Sequence, residues 1–134
     1  MPYPAKTNPE EILKVALELL EQDTSSLSMR NLAEKLNVKA PSLYRYFADK
    51  EVLELTLVSE GAKLLRLELE KVVQNRDIKK KFVAVSQNYL LFAREHPALY
   101  TLMMTKFSSP QGAAKDLWNF VLSLVSEVTK KSDD

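Results

Sequence analysis

The sequence predicts an all-α protein: a three-helix unit closed by a helix-turn-helix, followed by a helical bundle. Three observations carry that expectation. Apolar residues recur at spacings of four and three, as in Ile78, Phe82, Val85, Tyr89 and Phe92, the period of a helix with one broad apolar stripe. Helix starts and stops punctuate the chain at Asn8-Pro9, Ser28, Asn37, Asp49 and His96-Pro97. Of the 134 residues 46% are apolar and only two are glycine, which describes a buried core and not a disordered tail.

Each element follows in turn. Asn8, then Pro9 and Glu11, form a capping arrangement with proline at the first helical position, so the opening helix runs to about Asp23 and carries Ile12, Leu13, Val15, Ala16, Leu17, Leu19 and Leu20. Ser28 caps a second helix by accepting from the backbone N–H of Arg30 or Asn31, and the apolar face of that helix is Leu32, Ala33 and Leu36. Asn37 stops it, because asparagine tolerates the left-handed backbone of helix ends, and Val38 supplies the apolar plug behind a steep turn. Pro41 suits the first turn of the third helix, where its missing N–H costs nothing. Leu43 and Phe47, four apart, share its buried face and leave Ser42, Arg45 and Tyr46 outward.

Asp49 caps a long helix from Lys50 to about Gln74, whose single glycine, Gly61, marks a bend or a close approach. Asn75-Arg76 interrupts the chain before the striped helix that ends at His96-Pro97. A short helix from Ala98 to about Lys106, a turn at Ser108-Ser109-Pro110 and a last helix with Ala114, Leu117, Val121, Leu124 and Val128 on one face complete the chain. The boundary between the two units is expected after Leu53, giving 1–53 and 54–134.

The segment Ser28 to Lys50 has an outward face that is basic and aromatic. The major groove of DNA admits one α-helix between walls of phosphate, so an inserted helix needs small residues at its tip and donors along its flanks. Lys39, Ala40 and Ser42 make a narrow leading end, while Tyr44, Tyr46 and Lys50 carry donors at phosphate reach. Arg45 is the candidate for direct base contact, since its planar fork can donate twice to guanine O6 and N7. The whole chain is only +1, yet between Leu27 and Lys50 five cations (Arg30, Lys35, Lys39, Arg45, Lys50) stand against two anions (Glu34, Asp49), and the opening helix is acidic. Positive charge is therefore concentrated where a polyanion would be met.

In order and spacing, Leu27-Ser28-Met29-Arg30-Asn31-Leu32-Ala33, Val38, Ser42-Leu43-Tyr44-Arg45-Tyr46-Phe47 and Lys50-Glu51-Val52-Leu53 resemble the DNA-binding domain of TetR/AcrR-type transcriptional repressors. The resemblance implies phosphate-facing roles for Ser28, Arg30, Tyr44, Tyr46 and Lys50, and places Lys39, Ala40, Pro41, Ser42 and Arg45 nearest the bases. Asn37 and Asp23-Thr24-Ser25 stand where the family often has glycine, and both are turn-compatible replacements. The second half, through Phe92-Ala93-Arg94-Glu95-His96-Pro97-Ala98-Leu99-Tyr100, is similar to a subgroup's effector-binding and dimerisation part. Family members usually continue with two further helices that pack on a partner subunit, so the second half is expected to be a shortened version.

Phe82, Tyr89, Tyr100, Met103, Met104, Phe107 and Trp118 are the candidate lining of a cavity for a small apolar or amphipathic effector, with Leu99 beside them. The same residues at helical spacing also suit an ordinary core, and the sequence leaves both readings open. His96 at a helix end fits the helix dipole and is assigned no chemistry. Zero cysteines exclude a disulfide framework, thiolate metal sites and a cysteine nucleophile. With one histidine, Ser86, Ser123 and Ser126 have no other base to draw on. No metal, no cofactor and no enzymatic site is expected. The opening MPYPAKTNPEE does not look like a signal peptide and no stretch stays apolar for about 20 residues, so a cytoplasmic location without membrane contact is expected.

The sequence thus points to a ligand-responsive regulator, a repressor bound to a palindromic operator on double-stranded DNA as a homodimer. The alternative is a helical protein-interaction module, a truncated antagonist that dimerises with a full-length relative without binding DNA itself.

Overall fold

The computed structural model describes residues 7–73, 77–106 and 112–132, with the backbone alone at 113, 114 and 128–132. The described residues form seven α-helices and a short 3-10 turn, with no strand. The chain divides into two compact units, one ending at Leu57 and one beginning at Val58, a few residues later than the boundary expected after Leu53.

The first unit contains α1 (Pro9–Gln22), α2 (Met29–Leu36), α3 (Ala40–Tyr44) and the start of α4 (Lys50–Glu70). Asn8 caps α1 by accepting from the Glu11 N–H at 2.8 Å, with Pro9 in the first turn. One face of α1, Ile12, Ala16, Leu19 and Leu20, is buried with Leu27, Met29, Leu32, Ala33, Leu43, Phe47, Leu53 and Leu57. The Asp23 carboxylate accepts from the Ser25 N–H at 3.0 Å and so starts the 3-10 turn Thr24–Ser26. That bond stabilises the anion and lowers the Asp23 pKa.

The second unit holds the rest of α4, α5 (Ile78–Glu95), α6 (Pro97–Lys106) and α7 (Ala113–Ser132). The last helical residue of α4 is Glu70 and residues 71–73 are turn, short of the expected end at Gln74, which lies outside the described residues. Leu65, Leu69, Phe92, Leu99, Met103 and Leu117 form the core of this unit. Gly61 allows a close approach: a Cβ there would stand 2.9 Å from the Met103 sulfur and 3.2 Å from both Leu99 methyls. Asn75-Arg76 and Ser108-Ser109-Pro110 lie outside the described residues.

Candidate nucleic-acid interface and apolar groove

The turn between α2 and α3 is built from backbone hydrogen bonds. Ser28 Oγ accepts from the Asn31 N–H at 3.0 Å, and the Asn31 side chain donates to the Ser26 carbonyl at 2.8 Å, which anchors the start of α2. At its end Asn37 takes the left-handed conformation (φ 55°, ψ 46°). The Asn37 N–H bonds to the Glu34 carbonyl at 3.1 Å and the Val38 N–H to the Ala33 carbonyl at 3.0 Å. This pair is the Schellman closure of a helix, and it satisfies carbonyls that would otherwise lack donors.

Three residues after Asn37, α3 begins. Lys39 is extended, exposed and makes no side-chain cap, Ala40 and Ser42 are half-buried, and Pro41 is exposed in the first turn. Ser42 is therefore less outward than its position suggested, and its N–H donates to the Lys39 carbonyl at 2.9 Å in the tight first turn. Leu43 and Phe47 are buried as a pair, and the Phe47 N–H donates to the Leu43 carbonyl at 2.9 Å. Their burial turns Tyr44 and Arg45 to the surface. Tyr46 is also exposed, but its hydroxyl donates to the Thr7 carbonyl at 3.4 Å, a long bond that ties it back to the start of α1.

The charges of this unit are unevenly engaged. Both anions of the segment have local partners: Glu34 lies 3.5 Å from Arg30, and Asp49 caps α4 by accepting from the Val52 N–H at 2.9 Å. Lys35, Lys39, Arg45 and Lys50 are exposed and make no ion pair among the described residues. A polyanion meeting these side chains would find donors free of internal ion pairs.

In the second unit α5 and α7 flank an apolar groove of about 390 Å³, with Leu69 of α4 contributing to its lining. On α5 the lining positions are Lys81, Phe82, Val85, Ser86, Tyr89 and Leu90, one continuous helical face. Val121, Leu124 and Val125 face them from α7. Lys81 Nζ reaches Glu127 Oε1 across the two helices at 3.0 Å. The Tyr89 and Tyr100 hydroxyls are 2.9 Å apart and their rings meet edge to face at 5.8 Å. Burial first, then the Tyr100 hydroxyl, raises the Tyr89 pKa well above the ordinary phenol value.

Of the residues expected to line a cavity, Phe82 and Tyr89 do so, and Tyr100 reaches the groove only through Tyr89. Met103 is fully buried under Gly61 as core. Met104 and Trp118 are exposed away from the lining, Trp118 at 52%, because the inward positions of α6 and α7 are taken by Leu99, Met103 and Leu117. Phe107 lies outside the described residues. Val85, Val121, Leu124 and Val125 were missed as lining, although the first three sit in the apolar stripes that the sequence shows.

The His96 ring lies tilted at 46° against Phe92, with ring centres 5.1 Å apart. Ser123 donates to its own helix, to the Phe120 carbonyl at 2.7 Å, as helical serines commonly do. Among the described residues no cluster of acidic or histidine side chains could hold a metal ion, and no helix is long and apolar enough to cross a membrane.

Residues 12–55 match the family described as bacterial regulatory proteins, tetR family. Over 117 residues, 83% of this chain and 57% of the relative, the sequence is 25% identical to an uncharacterized HTH-type transcriptional regulator of Haemophilus influenzae. It is 26% identical over 96 residues to the uncharacterized HTH-type transcriptional regulator YobS of Bacillus subtilis, covering 71% of this chain and 50% of that one. The chain thus spans about half the length of the curated relatives it matches. A solved structure of a protein with unknown function from Rhodococcus sp. RHA1 superposes with a TM-score of 0.79 at 25% identity, over 93% of this chain and 69% of that one.

Proposed function

We propose, from the premise that residues 12–55 belong to the tetR family of bacterial regulatory proteins, that this chain is a DNA-binding transcriptional regulator, a repressor that holds a palindromic operator as a homodimer and releases it when a small effector enters the second unit. The observation that supports it most is the pattern of charge engagement around α3. Glu34 and Asp49 are occupied locally while Lys35, Lys39, Arg45 and Lys50 stand exposed. Ser28, Arg30, Tyr44, Tyr46 and Lys50 are assigned to phosphates, and Lys39, Ala40, Pro41, Ser42 and Arg45 to the base edges, with Arg45 donating to a guanine. On phosphate Tyr46 would exchange its long bond to Thr7 for a charge-assisted one.

One such head covers little of the groove, so specific affinity asks for two copies about 34 Å apart on one face of the duplex. The apolar groove of α5 and α7 is the effector site, and α4, which contributes residues to both units, carries the response. The effector must bind one setting of α4 more tightly than the other, since equal affinity for both would shift nothing.

Selection from a randomised duplex library at two salt concentrations, with light scattering for the mass on DNA, tests the reading. An enriched palindrome bound by two chains, weakening steeply in salt, is expected. Absence of enrichment overturns it and favours the protein-interaction reading, which draws on the exposure of Leu90 (64%), Phe82 (53%) and Val125 (51%) on adjoining helices.

A further inference from the structure

We infer that the effector of the α5/α7 groove is a free single-chain carboxylate whose tail lies along Phe82, Val85, Tyr89 and Leu124 and whose head replaces Glu127 on Lys81; this rests on the reading of the groove as the effector site. Apart from the hydroxyls of Ser86 and Tyr89 the lining is apolar, and it carries one cation, Lys81, at the end of the α5 wall. From Lys81 to Tyr89 is about 12 Å, at roughly 1.5 Å of rise per residue. The groove therefore offers a charged end and an extended apolar body, which is the shape of a single-headed amphiphile.

The Lys81 side chain is only 15% exposed, whereas its partner Glu127 is 42% exposed. A lysine whose stem is laid along apolar surface needs an anion beside its amine. Glu127 supplies one from the wetter side, and its release costs little as long as another anion takes its place on Lys81, because the Glu127 side chain is 42% exposed and already close to water. A ligand carboxylate arriving with a tail keeps Lys81 paired and also buries the tail, a gain that Glu127 cannot match. A neutral chain would gain only the tail, and a cationic one would meet Lys81. The Tyr89 and Tyr100 hydroxyls share one hydrogen bond at the far end of the groove, where a carboxylate needs no partner because its head lies at Lys81.

Calorimetric titration of octanoate and octanol into the full chain, its Lys81→Met variant and its Glu127→Gln variant tests the inference. Octanoate should bind more tightly than octanol. Lys81→Met should remove that preference by weakening octanoate on the order of tenfold, as expected for a lost charged hydrogen bond, with octanol within about twofold because the apolar stem remains. Glu127→Gln should instead tighten octanoate, since the competitor for Lys81 is gone. Circular dichroism melts check that each variant is folded. Equal affinity for the acid and the alcohol in all three proteins, or preference for octanol, overturns the carboxylate assignment and leaves the groove as an effector site. If neither ligand binds, the effector site itself falls, while operator selection still decides the DNA-binding reading.

Discussion

Gly61 of α4 and Met103 of α6 approach so closely that a Cβ on the glycine would lie 2.9 Å from the methionine sulfur. Both Met103 and Leu99, the other neighbour, are buried, so a methyl on Gly61 can be admitted only by a shift within the core. An alanine in a helix interior is intrinsically favoured over glycine by about 1 kcal/mol, whereas overpacking costs about 1–3 kcal/mol. Gly61→Ala is expected to destabilise the protein by about 1 kcal/mol net, against its helix propensity. Thermal melts check this. The double variant with Met103→Ala should lose less than the sum of the two single changes, because the new methyl enters the space the sulfur leaves.

Asn37 holds a left-handed backbone at φ 55°, so its substitutions should divide by conformational freedom. Asn37→Gly is expected to keep stability within about 0.5 kcal/mol, and Asn37→Val to cost about 1–2 kcal/mol. Urea titration of both variants measures the difference. Equal stabilities would mean that the closure of α2 does not depend on this residue.

Arg45 is exposed and makes no ion pair among the described residues, so Arg45→Ala should leave the melting curve unchanged. On an enriched operator it should cost about 1–3 kcal/mol and relax preference at one base position. Lys50→Ala should weaken all duplexes alike and reduce the salt slope by about one. Affinity and sequence preference unchanged in Arg45→Ala would remove that residue from the base edge.

The raised pKa of Tyr89 gives a signed pH dependence. A group whose pKa is higher folded than unfolded contributes stability that is complete below its unfolded value, near 10 for tyrosine, and that declines as pH rises above it. The melting temperature is expected to fall above about pH 10, and Tyr89→Phe should flatten that decline. The comparison is made on the full chain by calorimetry across the alkaline range. An unchanged slope in Tyr89→Phe would assign the decline to other groups.

Residues that act on their own neighbours were legible in the sequence. Asn8, Ser28 and Asp49 each accept from the N–H three residues on, and Asn37 alone of the non-glycine residues has positive φ among those described. The buried pair Leu43 and Phe47 followed from a spacing of four. The bond from Tyr46 to Thr7 was not legible, since 39 residues separate its ends. The stripes on α5 and α7 were legible singly, but not that they would enclose one groove with Leu69 while Trp118 and Met104 stayed outside.

The sequence by itself determined the helices, their caps, the left-handed stop at Asn37 and the basic, aromatic outer face of the segment from Ser28 to Lys50, because each depends on groups within one or two turns of each other. Only the tertiary structure decided which apolar residues became core and which became groove wall, and which cations were left without partners. Those outcomes depend on the packing of helices distant in sequence: Met103 is core because Gly61 admits it, and Lys81 stands in an apolar wall because α7 brings Glu127 to meet it.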